Sequence, residues 1–328
     1  MATKRIAFCI TGGGARISQQ AAMCDFLINE KGKVPEVFSG TSAGGLLTVA
    51  VDSILAGRWG WDGLKNTLWN LKNDEVYKKI SPLKMAFRVM CKRLPAWYDT
   101  SPERELFRKM LKEIKINKLK ELKGICYICG VRNQDGHDTR WYNRDKNHGE
   151  LKIEDVLMGT SAIPFKFPPQ EVPYNSGPYY VDGGAGRDFS PLEVLFEHEL
   201  DEIYVLIPGR SKNPPKINSQ WIVDNVYAAV DHMLNDLFDL QVDYYPRLDP
   251  DTAFYVIQPV FEYPFDPMDF EKGFEQYQAT WKWLEKNFDK IKPQPSDWPP
   301  KRHKAKPGID TILKFMARRE RKRKKRKR

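Results

Sequence analysis

No run of apolar residues approaches the ~18 needed to cross a bilayer as a helix, and histidine is scarce, with five in 328 residues. The first absence excludes a membrane-spanning helix. The N-terminus offers two basic and five apolar residues ahead of three glycines, too short for a signal peptide. Cysteine is also sparse: five, an odd number and scattered, which points to a reducing, cytoplasmic setting. Cys126-Tyr-Ile-Cys129 has the spacing of a redox or zinc pair. It lies inside the apolar run Gly124–Val131, however, and no second Cys/His pair stands near it, so a buried strand is expected there. No Gly-Lys-Ser/Thr follows the glycine run, which excludes a phosphate loop. Ile17 stands where a dinucleotide fingerprint needs a small residue. There is no internal repeat.

What is present describes a folded chain: 41% apolar and 12% aromatic residues, and enough length to bury a sizeable core. The formal net charge of +10 is concentrated at one end. Residues 318–328 carry ten basic side chains against one acidic, residues 301–317 add five against one, and the first 300 residues are slightly acidic. The basic character therefore belongs to the C-terminus and not to the fold. That tail suits an anionic membrane, a nucleic-acid backbone read without sequence, a nuclear address, or plain solvation.

Along the chain, an apolar strand over Lys4–Thr11 leads into Gly12-Gly13-Gly14. A helix follows over Ala15–Asn29, with apolar residues at helical spacing. A second strand from Pro35 runs to Gly40-Thr41-Ser42-Ala43-Gly44, and Gly45–Ala56 is again helical. This is a βαβ unit, which implies parallel strands. Trp59–Trp97 reads as helical, broken at Pro82 and Pro95, with an interfacial patch as the alternative to ordinary packing helices. A further helix opens at Thr100-Ser101-Pro102-Glu103 with a hydroxyl cap. Gly124–Val131 and Asp138–Tyr142 form a strand pair, followed by a helix over Ile153–Ser161 and a strand over Tyr179–Val181. Pro191–Glu199 reads as helix, Glu202–Pro208 as strand, Gln220–Val242 as helix, Ala253–Pro259 as strand and Asp269–Phe288 as helix. Beyond Lys292 a linker and disordered tail are expected.

Strand, Gly-x-Ser-x-Gly and helix in that order make a nucleophile elbow, with Gly40 and Gly44 small enough for close backbone approach and Ser42 at the strand tip. Acyl transfer also needs a base and donors for the oxyanion. The glycine bend after the neighbouring parallel strand can supply donors at the same sheet edge. For the base, His137, His148, His198, His232 and His303 are available, but none directly follows a strand. Asp182 does, and Gly183 and Gly184 leave room around it. A carboxylate at its ordinary value of about 3.9 is a weak base, so desolvation would have to raise it.

Gly12-Gly13-Gly14-Ala15-Arg16, Gly40-Thr41-Ser42-Ala43-Gly44 and Asp182-Gly183-Gly184, in this order, resemble the patatin-like acyl hydrolases, which use a Ser–Asp dyad without histidine. Asp99-Thr-Ser-Pro102 and Ser161-Ala162-Ile163-Pro164 echo further segments of that family. The resemblance spans residues 5–208. It implies an α/β three-layer fold, a central mostly parallel sheet flanked by helices. Residues 209–292 would complete the domain, and residues 293–328 would form the linker and tail. By resemblance, Ser42 and Asp182 are catalytic, Gly12, Gly13 and Gly14 form the oxyanion hole, and Arg16 is a substrate-binding candidate. The implied substrate is a phospholipid or lysophospholipid, with no cofactor or metal. The chain departs from the pattern at Ile17, where the family has glycine, and at Gln20, where it has histidine. Asp188-Phe-Ser-Pro191 replaces an Asn-x-Pro. Two other functions fit the residues: a catalytically weak lipid-binding or scaffolding module at anionic membranes, or a nucleic-acid binder acting through residues 318–328.

Overall fold

A computed structural model of the chain describes residues 4–81, 96–213, 237–247 and 249–294, together with Leu83, Met85 and Met90. In chain order its strands are β1 (Ile6–Ile10), β2 (Val37–Thr41), β3 (Lys78–Lys79), β4 (Tyr98–Asp99), β5 (Ile125–Arg132) and β6 (His137–Tyr142). They continue with β7 (Gln170–Glu171), β8 (Tyr179–Asp182), β9 (Glu202–Leu206), β10 (Arg210–Ser211), β11 (Ala253–Ile257) and β12 (Val260–Phe261). The main sheet has the order β11-β9-β1-β2-β5-β8-β7, with β6 also paired to β5. From β11 through β5 every pairing is parallel, while β6, β8 and β7 run antiparallel to their neighbours.

The layering follows from the two-residue period of a strand. In β1, Ile6, Phe8 and Ile10 point into one core cluster and Ala7 and Cys9 into another. The first cluster packs under helices α1 (Ile17–Asp25) and α2 (Ala43–Leu55) and the helix Gly273–Asn287. The second lies under Leu192, Val194 and Leu195 and the helical residues 237–247. Trp59, Trp61 and Trp69 pack against the first core, so this part of the Trp59–Trp97 stretch is ordinary packing. Among the described residues, no helix is long and apolar enough to cross a membrane.

Two expectations need revision. The helix opening near residue 100 spans Ser101–Ile114, and Thr100 makes no side-chain cap. Asp99 supplies an acceptor instead, its Oδ1 accepting from the Ser101 amide at 3.0 Å, an aspartate turning the chain two residues on. Pro191–Glu199 yields only a short 3-10 turn, Glu193–Glu197. The two-residue strands β3, β4, β7, β10 and β12 carry no sequence period long enough to detect. Of the helix expected over Gln220–Val242, only residues 237–242 are described, and they are helical. The linker and tail lie outside the described residues, apart from Pro293 and Gln294.

Candidate active site

Ser42 stands between β2 and α2 with φ 55° and ψ −125°, a backbone conformation that a residue with a side chain adopts only under strain. The strain is imposed by tight packing. A Cβ on Gly44 would lie 2.0 Å from the carbonyl oxygen of Ile10 in β1, and one on Gly40 would lie 2.3 Å from that of Gly44. The Ser42 amide donates to Thr160 Oγ1 at 2.8 Å, and that hydroxyl donates to the carbonyl of Cys129 in β5. One threonine thus pins the elbow to the adjacent strand.

The partner strand arrives from the opposite direction. β2 pairs with residues 125–129 of β5, ending at Thr41 opposite Cys129. β8 pairs antiparallel with residues 130–132, ending with Asp182 opposite Gly130. Since β6 occupies the other edge of β5, β2 and β8 share one edge and meet tip to tip on successive rungs. This brings Ser42 and Asp182 together across 140 residues of chain. Both are nearly buried, at 5% and 6% exposure. Burial pushes the Asp182 carboxyl up to about 6, against the opposing effect of hydrogen bonds from the Ser42 side chain and the Gly184 amide. The Gly184 bond to Oδ1 is 2.7 Å.

The glycine bend lies alongside. A Cβ on Gly12 would come within 3.6 Å of the Ser42 Cβ, and Gly14 has φ 54°. The Gly12 amide makes a long 3.4 Å bond to the Phe189 carbonyl, whereas the amides of Gly13 and Gly14 have no acceptor among the described residues. Arg16 folds back, its Nε on the Gly13 carbonyl at 3.3 Å, and braces the bend. Gln20 ties two strand ends together, donating to the carbonyls of Thr11 at 2.7 Å and Leu206 at 3.1 Å. On the other flank, Asp188 is buried and held by Arg140 at 2.7 and 3.0 Å. That pair fixes the loop following Asp182.

An apolar cavity of about 60 Å³ opens between α2, the helix Trp61–Asn70 and the helix Ser101–Ile114. Ile17, just past the glycine bend, and Leu46 and Leu47, one turn beyond Ser42, form part of its wall.

A family model for patatin-like phospholipase matches residues 8–196, more than half of the chain. The chain belongs to the patatin-like phospholipase family. A solved structure of VipD from Legionella pneumophila is similar at TM-score 0.40 and 14% identity, covering 88% of this chain and 67% of that one. A search of curated proteins finds no match.

The patatin-like chain brings together Ser42, Asp182, Gly12, Gly13 and Gly14, with Gly40 and Gly44 as the elbow's hinges and Arg16 behind the bend. The described histidines belong elsewhere: Nε2 of His198 meets the Tyr127 hydroxyl at 3.0 Å, Nδ1 of His148 accepts from the Tyr142 amide, and His137 is exposed. His232 and His303 lie outside the described residues. Cys126 and Cys129 are buried free thiols in β5, as the strand reading requires.

Two site residues of this patatin-like domain escaped sequence reasoning. Thr160 looks like any helix-end threonine. Glu103 shares a helical face with the buried Phe107, Leu111 and Ile114, a helical phase that the spacing of these residues carries. Thr160→Val is expected to lower stability by about 1–3 kcal/mol, since the Ser42 amide and the Cys129 carbonyl both lose their partner. Urea unfolding of the variant measures it.

Proposed function

We propose that the protein hydrolyses ester-linked acyl groups of phospholipids or lysophospholipids through Ser42 and Asp182. The observation that carries this is a buried carboxyl, pushed up to about 6, at a strand tip that meets the tip bearing a strained elbow serine on successive rungs of β5. That value suits a base working near neutrality. Asp182 accepts the Ser42 proton as Oγ bonds to the ester carbonyl carbon. The negative charge on the carbonyl oxygen is taken by the amides of Gly13 and Gly14, with the first-turn amide of Ala43 beside them. Collapse breaks the bond to the leaving alkoxide, which takes the proton from Asp182. Water, deprotonated by Asp182, then attacks the acyl-Ser42 ester, and the proton returns to Oγ as the fatty acid departs.

The apolar cavity would receive the acyl chain. At ~10–15 Å³ per water-sized group, 60 Å³ holds a segment of roughly four to six methylenes. Residues 318–328 would hold the enzyme at anionic membranes, each basic residue adding about 1 kcal/mol. A fluorophosphonate probe tests the assignment: it should label Ser42 and abolish release of fatty acid from phosphatidylcholine vesicles. Unlabelled Ser42, or labelling with undiminished hydrolysis, contradicts it.

A further inference from the structure

The turn Thr160–Ser161–Ala162 grips three separate groups. Thr160 Oγ1 accepts from the Ser42 amide at 2.8 Å, and the Ala162 carbonyl accepts from the Asp182 amide at 2.9 Å. Between them, the Ser161 side chain lies beside Glu103, its Oγ donating to the Met158 carbonyl at 3.4 Å. Glu103 is 5% exposed and is, among the described residues, the one ionisable group lining the apolar cavity, whose other walls include Ile17, Leu46, Leu47, Phe107 and Met110. It therefore stands where the acyl cavity meets the dyad.

We propose that Glu103 is a specificity-determining residue of the acyl site: as an uncharged carboxylic acid it lets the cavity take an apolar chain, and as a carboxylate it expels that chain. This rests on the Ser42–Asp182 reading. The physical reason is that an apolar chain cannot solvate a buried charge, so a carboxylate in that wall has to recruit water in the chain's place. Burial chiefly, and repulsion by Asp182, push the Glu103 carboxyl up to about 8, against the Ser161 hydroxyl and the Arg104 charge. Few other charges face it. Arg104 is engaged by Glu154 at 2.7 Å and Asp155 at 3.0 Å from the helix Ile153–Thr160. On α2, Asp52 is bound by the amides of Lys123 and Gly124. Lys65 of the helix Trp61–Asn70 pairs with Asp25 of α1, and Asp74 and Glu75 of the helix Asn73–Val76 are exposed. Near Phe270, Asp269 caps the Glu271 amide, and Glu271 and Lys272 are exposed.

The experiment compares wild type, Glu103→Gln and Glu103→Leu between pH 7 and pH 9, with dioctanoyl-phosphatidylcholine as substrate. Wild-type KM should rise about tenfold over that span, with kcat nearly constant, as the protonated fraction falls. Both variants should hold KM within about twofold, neither being able to ionise there. Calorimetric titration with 1-octanol, which needs no turnover, should show the same contrast in affinity. A wild-type profile that persists in Glu103→Gln, or an alkaline loss confined to kcat, overturns the role of Glu103. Absence of hydrolysis by wild type defeats the dyad reading alone, since octanol binding still reports on Glu103. If one variant does not fold, the other carries the comparison.

Discussion

Asp182→Asn is expected to lower kcat/KM toward phospholipid by about four orders of magnitude while raising the melting temperature. The loss follows, on the proposed mechanism, from replacing the carboxylate that takes the Ser42 proton by an amide that cannot take it. The gain follows from linkage. Asp182 is pushed up in the folded protein, from an ordinary value of 3.8 to about 6, so the folded state holds its proton more tightly than the unfolded chain. Stability then declines as pH rises from below 4 to above 6, and at neutral pH the ionised carboxylate costs on the order of 3 kcal/mol. An uncharged asparagine relieves that cost. In wild type, kcat/KM should fall about tenfold per unit below pH 6, because the working form of Asp182 is the carboxylate, and decline again above pH 8 as Glu103 ionises. Ser42→Ala should be as inactive as Asp182→Asn without the same pH-dependent gain in stability. Initial rates on vesicles and thermal melts from pH 4 to 8 measure both. An Asp182→Asn protein melting below wild type at pH 7, or retaining a tenth of its activity, contradicts the account.

Gly44→Ala is expected to disrupt the site from the opposite direction, through packing. The new methyl group would sit 2.0 Å from the Ile10 carbonyl oxygen and 2.6 Å from its carbon, both backbone atoms of a strand hydrogen-bonded on either side. Neither β1 nor α2 has a side chain to swing away, so the strand and helix must separate. A cost of about 3 kcal/mol or more is expected, with a drop in melting temperature of roughly 6–12 °C. Activity should vanish even at temperatures where the variant is folded, because the elbow's φ and ψ depend on that contact. Gly57→Ala, where a Cβ would meet nothing within 4 Å but φ is 71°, should cost only the local strain and leave turnover intact. A Gly44→Ala protein as stable and active as its parent would mean that the elbow is not held this way.

Much of this was legible in the sequence because the motifs are made of residues whose chemistry is local. A glycine that must accommodate another backbone, a serine between two such glycines, and an aspartate ending a β-rich run are readable without any fold. The parallel core was legible for the same reason: apolar runs, glycine bends and helical periods alternate from Lys4 to Ala56. What lay hidden depends on partners distant in the chain. The value of Asp182 comes from burial that only the assembled core provides, so sequence alone supplied the need for a raised carboxyl and not the fact. β8 reads as one more strand, and nothing in Tyr179–Val181 indicates that it runs against β5. Thr160 acquires its role only because β5 offers it a carbonyl. Arg16, a substrate-binding candidate by resemblance, also rests its Nε on the Gly13 carbonyl. Asp188, replacing the family's asparagine, finds Arg140 on β6, which a search for local turns cannot see.

Two strand tips facing each other along the edge of a third have a mechanical corollary. The separation of Ser42 and Asp182 is metered by consecutive rungs of β5, Cys129 and Gly130, and by neither arm that bears them. A bulge inserted there would pull the hydroxyl and carboxylate apart by a whole residue step while leaving both parent motifs untouched. Gly130, against which the Trp141 ring closes to 2.6 Å of where a Cβ would stand, is thus the ruler's most sensitive mark. Damage at that point would silence the protein with every signature residue still in place.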